Sequence, residues 1–305
     1  MFWNNILSSA TQTGVLAVLM SVGFICHKAG IFTRDTAQKC NVLLFYIITP
    51  CTICHAFAAV PFERQTMRLM LMTVLCTAIF HCIGALLTHP LFRRNPDGAI
   101  YRFAAMYGNI GYMGLPLCEA VLGAEGVFIC SIMVAVFNLF CFTHGTVLMT
   151  DGQGRKNIKG IFINPGTIGI AMGLPIYLSG VTLPKIIAAP IDALANVNTP
   201  LAMLLFGTYL AEANLSEAFK TKENYLCVLI KHVVLPAITF LLCKTVGING
   251  TLLTACIILS CVPSANNTVM FAAQYGRDTA KASLVTALSS LVSITVLPIW
   301  IVLTA

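Results

Sequence analysis

The sequence predicts an all-α integral membrane protein of ten transmembrane helices, and three observations carry that expectation. Of 305 residues, 58% are hydrophobic and only 10% charged, against about 25% charged in soluble domains. The mean hydropathy is +0.86, so the chain lacks the charged surface a soluble fold needs. The apolar residues gather in ten stretches near 20 residues long. That is the length a helix rising 1.5 Å per residue needs to cross a hydrocarbon core of about 30 Å.

The stretches lie at 8–28, 38–60, 66–90, 99–123, 126–149, 161–181, 187–212, 224–246, 251–275 and 281–304. No connection between them is long enough for a separate soluble domain. The most polar one, DGQGRKNIK at 151–159, falls halfway along and reads as a linker between halves 1–152 and 160–305. Segments after odd-numbered stretches hold 13 of the Lys and Arg residues, segments after even-numbered stretches hold 4, and Lys231 alone lies inside a stretch. Cytoplasmic loops carry the excess of basic residues, so both termini are expected outside the cytoplasm, in a plasma (inner) membrane. This asymmetry accounts for the net charge of +7. No basic patch with interleaved aromatics is present, so the expected partner is the lipid bilayer and not a nucleic acid.

No basic residue precedes Lys28. The basic-then-apolar order of a secretory signal is therefore absent, and the first stretch is expected to stay in the mature chain. The 13 cysteines are odd in number and mostly at bilayer depth, so they read as small apolar packing residues without disulfides. Residues 51–55, CTICH, match the spacing of c-type haem attachment, but they follow Pro50 inside a hydrophobic stretch where attachment has no access. No cofactor and no metal are expected. No HExxH pair and no triad-like spacing occur, so an enzyme is not expected either.

The two halves resemble each other at an offset near 150 residues. ITPCTI at 48–53 parallels NTPLAM at 198–203, Gly98 parallels Gly250, and Gly123 parallels Gly276. Five stretches per half force opposite orientations, which makes the halves inverted repeats, a recurring plan among secondary transporters. The fourth stretch contains GNIGYMGLP at 108–116 and the ninth contains VPSANN at 262–267. Gly costs a helix about 1 kcal/mol and Pro about 3 relative to Ala, so both stretches are expected to break near their centres. Unwound backbone survives at that depth only when buried in protein or lining a wet cavity. Paired breaks of this kind point to a binding site.

The candidate substrate-binding residues are Asn109, Gly111, Tyr112, Gly114 and Pro116 in the first break, with Pro263, Ser264, Asn266, Asn267 and Thr268 in the second. Pro116 and Pro263 are expected to hold the breaks open. Helix N-termini and neutral amides with no carboxylate favour an anion over a metal ion. Asn109 and Asn267 also fit as interhelical hydrogen-bond partners. Secondary candidates are Asn138 and His144 in the fifth stretch, Asn198 and Thr199 beside Pro200, and Lys231. Asn198 and Thr199 could equally do no more than bend the seventh stretch. Lys231 lies about two turns inside the cytoplasmic start of the eighth, where it either snorkels or serves gating or substrate. The glycines of GIAMG at 169–173 suit close helix packing.

Several motifs together resemble the auxin efflux carrier family, over nearly the whole chain. NPGTIG at 164–169, Asn109 with MGLPL at 113–117, TPLAMLLFGTYL at 199–210 and VPSANNTVMFAAQYG at 262–276 carry the resemblance. It implies a fold similar to bile acid sodium symporters, in which helices 4 and 9 cross. Helices 1, 2, 6 and 7 would form a scaffold, often dimeric, and helices 3–5 and 8–10 a core that moves elevator fashion. It also implies a carboxylate-bearing substrate such as a mono- or dicarboxylate or an auxin-like acid. The ninth stretch lacks the acidic residue that helps bind sodium in bile acid symporters. A cation-coupled antiporter or symporter of the same architecture is the alternative.

Overall fold

Apolar runs at bilayer depth must satisfy their own backbone polar groups, and a helix does so within one segment. In keeping with that constraint, the structure, a computed structural model, is all-helical and without strands among its described residues: 14, 15, 18–60, 62–151, 165–212, 215–265 and 267–304. Helix α1 is Val18–Lys28. Helix α2 covers 34–59, α3 is Arg64–Leu91 and α4 is Gly98–Met106. A single run over 110–149 follows. Its Leu115–Met149 portion, at 35 residues, would span about 52 Å as one rod. Gly123 divides it, with φ 65° and ψ −153°; that left-handed φ is open to glycine at no steric cost. We name the two parts α5 (110–122) and α6 (124–149).

The second half comprises α7 (Pro165–Ser179), α8 (Lys185–Ala195), α9 (Asn198–Glu212), α10 (Leu215–Ala218), α11 (222–245), α12 (Gly250–Cys261), α13 (Asn267–Gln274) and α14 (Thr279–Thr304). Residues 8–13, 16 and 17 of the first apolar stretch and most of the 151–159 linker lie outside the described residues. Among the described residues, six runs are long and apolar enough to cross a membrane: Asp35–Ala59, Arg64–Leu91, Leu115–Met149, Lys185–Thr208, Lys222–Thr245 and Thr279–Thr304. The ten expected stretches thus do not appear as ten unbroken rods. The fourth is divided into α4 and α5, the ninth into α12 and α13, and the seventh bends at Asn196–Val197 between α8 and α9, just ahead of Pro200. All 13 cysteines are free thiols, and eight of them are buried, as packing residues should be.

Three helices accommodate a proline by the same local device. The π turns Leu44–Ile48, Ile110–Gly114 and Ile230–Val234 each end two residues before Pro50, Pro116 and Pro236. Proline has no N–H and its ring clashes with the carbonyl four residues back. Widening the turn to an i→i+5 bond relieves this: Thr49 N–H donates to Leu44 O, Leu115 N–H to Ile110 O and Leu235 N–H to Ile230 O. Pro116 therefore shapes a π turn within α5 and does not hold the break open, since the non-helical residues are 107–109.

Glycines set the closest helix contacts. A Cβ added to Gly207 would fall on the backbone of Met20, and one on Gly23 on the backbone of Leu204, so α1 and α9 meet backbone to backbone. Gly169 and Gly173 do the same for α7 against α2, where an added Cβ would lie 2.8 Å from Ile53 Cβ and 2.8 Å from Phe57 Cβ. Close approach between small residues is what drives helix association where lipid is as apolar as the side chains. The outward surface is apolar to match, with Ile186, Leu86 and Val246 more than two-thirds exposed.

Contacts between connecting segments fall into two sets. Segments after odd-numbered stretches bond to one another: Lys28 to Ala211 O, Asn95 to Glu223, Arg277 to Asp151 and Lys281 to Asp97. Segments at the other helix ends bond among themselves: His55 to Asp192, Thr66 to Tyr177, Thr251 to Glu125 and Thr254 to Thr304 O. No bond joins one set to the other among those named.

Gly207→Val should lower the thermal stability of the purified protein by an amount equivalent to about 1–3 kcal/mol, the usual cost of overpacking. Leu86→Ala on the outward face should stay within about 0.5 kcal/mol. Thermal unfolding in detergent reads both, and equal melting curves would mean that α1 and α9 do not touch at Gly207.

Candidate functional site

The chain leaves α4 at Tyr107, which is extended at φ −91° and ψ 102°. It leaves α12 at Val262, with φ −56° and ψ 146°. Val262 precedes Pro263, whose ring disfavours the helical conformation for the residue before it. Residues 107–109 and 262–265 then run side by side in opposite directions. Asn109 N–H donates to Pro263 O at 2.7 Å, Ala265 N–H donates to Tyr107 O at 2.9 Å, and Gly108 pairs with Ser264 as an antiparallel bridge. Each break thereby supplies partners for the backbone groups that the other releases. Pro263 fits this pairing because only its carbonyl is used.

The contact is close enough to require glycine. A Cβ on Gly108 would lie 2.7 Å from Val262 Cγ2 and 2.8 Å from Lys231 Nζ. A Cβ on Gly114 would lie 2.9 Å from Ile110 Cγ1. At Gly111 nothing stands within 4 Å of an added Cβ. Gly108 and Gly114 are packing positions, and Gly111 borders open space at the first turn of α5, where helix N–H groups have no intrahelical partner.

Side chains brace the crossing from behind. Ser264 Oγ donates to Ala104 O at 2.8 Å, and Ser264 N–H donates to Ser289 Oγ at 2.9 Å. Ser289 Oγ is in turn 2.9 Å from His232 Nε2. The hydroxyl of Tyr107, a fully buried side chain, is 3.1 Å from Phe140 O and 2.9 Å from His144 Nδ1. His144 therefore anchors Tyr107. None of Tyr107, Gly108, His232 and Ser289 stood among the sequence candidates. Gly108 was visible as part of GNIG, whereas Ser289 and His232 carry no local signal because they act through residues far away in the chain.

Four ends of helix meet here: the C-termini of α4 and α12 and the N-termini of α5 and α13. The carbonyl of Asn109 accepts from Met113 N–H at 2.9 Å and from Gly114 N–H at 3.1 Å. Its side chain is buried and makes no hydrogen bond among the described residues. Asn267 opens α13 half-buried, its Nδ2 3.8 Å from Cys141 Sγ. Thr268 is fully buried, and its hydroxyl has no partner among the described residues. Asn138 is buried on α6. Tyr112's side chain and Asn266 lie outside the described residues.

The remaining candidates separate. Asn198 and Thr199 start α9, and both bond Glu119 of α5, Thr199 Oγ1 at 2.7 Å and Asn198 Nδ2 at 3.4 Å. Pro116, also on α5, accepts a bond from Thr199 Oγ1 at 3.2 Å. Lys231 does not snorkel. It is fully buried, with Nζ 3.5 Å from Met106 O at the end of α4. No group of three or more His, Cys, Asp or Glu that could hold a metal ion occurs among the described residues.

A helical chain with several membrane-length apolar helices and two interrupted helices joined by their backbones defines a multi-pass membrane protein. The comparisons with known proteins supply the family. The model described as membrane transport protein matches residues 12–301, so the chain belongs to that family, the auxin efflux carrier family of the sequence resemblance. An uncharacterized transporter of Methanocaldococcus jannaschii is 22% identical over 87% of this chain and 88% of its own. A Rhizobium meliloti protein named "Putative malonate transporter" is 25% identical over 90% of this chain and 89% of its own. An uncharacterized transporter of Methanothermobacter thermautotrophicus is 25% identical over 97% and 98%.

Gly108→Ala should destabilise the purified protein by about 1–3 kcal/mol, because Val262 or Lys231 must move. Gly111→Ala should leave the melting temperature within 2 °C or so, a surface-like effect of about 0.5 kcal/mol. Differential scanning fluorimetry on both variants distinguishes the packing glycine from the one that borders open space.

Proposed function

We propose that the chain is a secondary transporter for a small organic anion, a mono- or dicarboxylate, working by alternating access. The observation that carries this reading is the backbone bridge between the two breaks. It brings the N-termini of α5 and α13, the Asn109 and Asn267 amides and the Thr268 hydroxyl towards one place; among the described residues Asn109's side chain and Thr268's hydroxyl have no partner there, and no carboxylate bonds this group. Helix N-termini and amide donors suit a carboxylate. Asn109 and Asn266 or Asn267 would bond it, with Gly111 giving it room; Tyr112, Gly114, Pro116, Pro263 and Ser264 would shape the walls. The name of the Rhizobium meliloti relative agrees with a carboxylate substrate.

The architecture belonging to this reading is ten membrane helices in two inverted five-helix repeats, 1–152 and 160–305, with both termini outside the cytoplasm. The separation of inter-segment bonds into two sets supports it, since each bond joins segments expected on the same face. Gly123 and Gly276 support it too, sharing φ values of 65° and 66° at equivalent points. Helices 1, 2, 6 and 7 would act as scaffold and as the homodimer face, and helices 3–5 and 8–10 as an elevator core.

A cation-coupled carrier is the second reading, favoured by Glu119. Its carboxylate sits beside Asn198, whose Oδ1 is buried without a partner among the described residues, at a contact between α5 and α9. Sodium-dependent Trp fluorescence lost in Glu119→Gln would support this reading over uncoupled transport.

Uptake into proteoliposomes tests the main reading. Asn109→Ala and Asn267→Ala should each lower carboxylate uptake and affinity about 10- to 100-fold, the worth of one hydrogen bond to a charged group. Unchanged affinity and uptake in both variants would remove the crossing as the binding site.

A further inference from the structure

Among the described residues, Lys231 is the charged side chain that stands at the crossing. Its Nζ lies 3.5 Å from the last carbonyl of α4 and 6.0 Å from the centroid of the Phe80 ring, and only the absence of a Cβ on Gly108 leaves it room. The titratable groups that interact with it are the thiols of Cys227 and Cys261 and the imidazoles of His81 and His232. No described carboxylate pairs with it. Asp97 and Asp151 hold Lys281 and Arg277 at one end of the helices, Asp192 holds His55 at the other, and Glu119 bonds Asn198 and Thr199. An unpaired cation at bilayer depth is costly and marks function. The C-terminal carbonyls of α4 and α12 offset only part of a unit charge.

We propose that Lys231 is a fixed counter-charge that stays with the crossing throughout the transport cycle. A bound monoanion then crosses the membrane field in a site whose charge is cancelled, and the membrane potential acts on the return of the empty, positive site. The proposal rests on the anion-carrier reading above, and it holds for any form of alternating access. When the crossing opens first to one face and then to the other, a charge at mid-depth moves between the two ends of the potential drop. A full unit charge would shift the balance of the two empty states by up to about 50-fold per 100 mV. An inside-negative potential draws the empty site to the cytoplasmic side, ready to load, and so favours export. Lys231 touches no substrate in this scheme; it positions charge.

The test uses the full-length protein in planar or solid-supported bilayers, with charge displacement recorded after voltage steps in the absence of any substrate. Wild type should displace charge, Lys231→Arg should keep the displacement, and Lys231→Met should lose it. Lys231→Met should also weaken binding of acetate, propionate, malonate and succinate by about 10- to 100-fold while leaving affinity for acetamide unchanged. A structural role alone would move neither the substrate-free signal nor the carboxylate-to-amide ratio. An electrically silent empty wild type that still exchanges a carboxylate overturns the proposal, and so does a displacement that persists in Lys231→Met. The wild-type recording decides even where Lys231→Met fails to fold. Wild type that transports none of the four carboxylates removes the carrier reading, and this proposal with it.

Discussion

A peptide group released from a helix inside a membrane has no water to turn to, and that constraint governs the centre of this molecule. Tyr107–Asn109 and Val262–Ala265 each open a gap in a helix, and each fills the other's gap through two backbone hydrogen bonds of 2.7 and 2.9 Å. Neither interruption could persist by itself, because an unpaired buried N–H or C=O costs several kcal/mol in hydrocarbon. The requirement for close approach then fixes glycine at 108. The requirement for a carbonyl without an N–H of its own is met by proline at 263. Ser264, Ser289 and His232 complete the arrangement by fastening the second segment to α4 and to α14.

Polar groups elsewhere in the bundle follow the same economy. Thr73, Thr77, Thr88, Ser131, Thr146 and Thr286 each return their hydroxyl to the carbonyl four residues back on their own helix. Such side chains are satisfied without a second helix and leave packing free. Asn109, Thr268 and Lys231 differ because nothing in their own helix answers them. All three stand at the crossing, although buried polar atoms without a partner among the described residues also occur elsewhere, at His81, Asn198 and Asn224. Carboxylates are kept to the helix ends, apart from Glu119, and among the described residues none bonds a group at the crossing.

Much of this was legible in the residue pattern, and for definable reasons. Helix-breaking composition is local, so GNIG and VPSANN announced the two interruptions, and GIAMG announced a packing seam that Gly169 and Gly173 form against α2. What failed to show was anything that depends on how the helix is wound. Pro116 looked like the cause of the first break, yet a π turn absorbs it and the break falls at Tyr107–Asn109. Lys231 was placed by depth alone, which left open whether its long side chain would run to the surface. Only the gap beside Gly108, formed by a residue 123 positions away in sequence, turns it inward. The bond of Glu119 to Asn198 and Thr199 was hidden for the same reason, since it joins two helices from different halves.

The π turn in α11 has a consequence for the register of that helix. An α-helix advances about 100° per residue, so one residue added to a regular coil would rotate everything beyond it by that angle, and the wider π turn absorbs it. Within Ile230–Val234 this lets two consecutive residues both face protein: Lys231 towards α4, and His232 towards α14 through Ser289, with His232 O also accepting from Trp300. Deleting a single residue from the turn would restore regular winding and leave Pro236 and all that follows facing as they do, but only one of the two residues could then be turned towards protein. The helix can thus keep its charge and its brace together only by carrying one residue more than a regular coil would need.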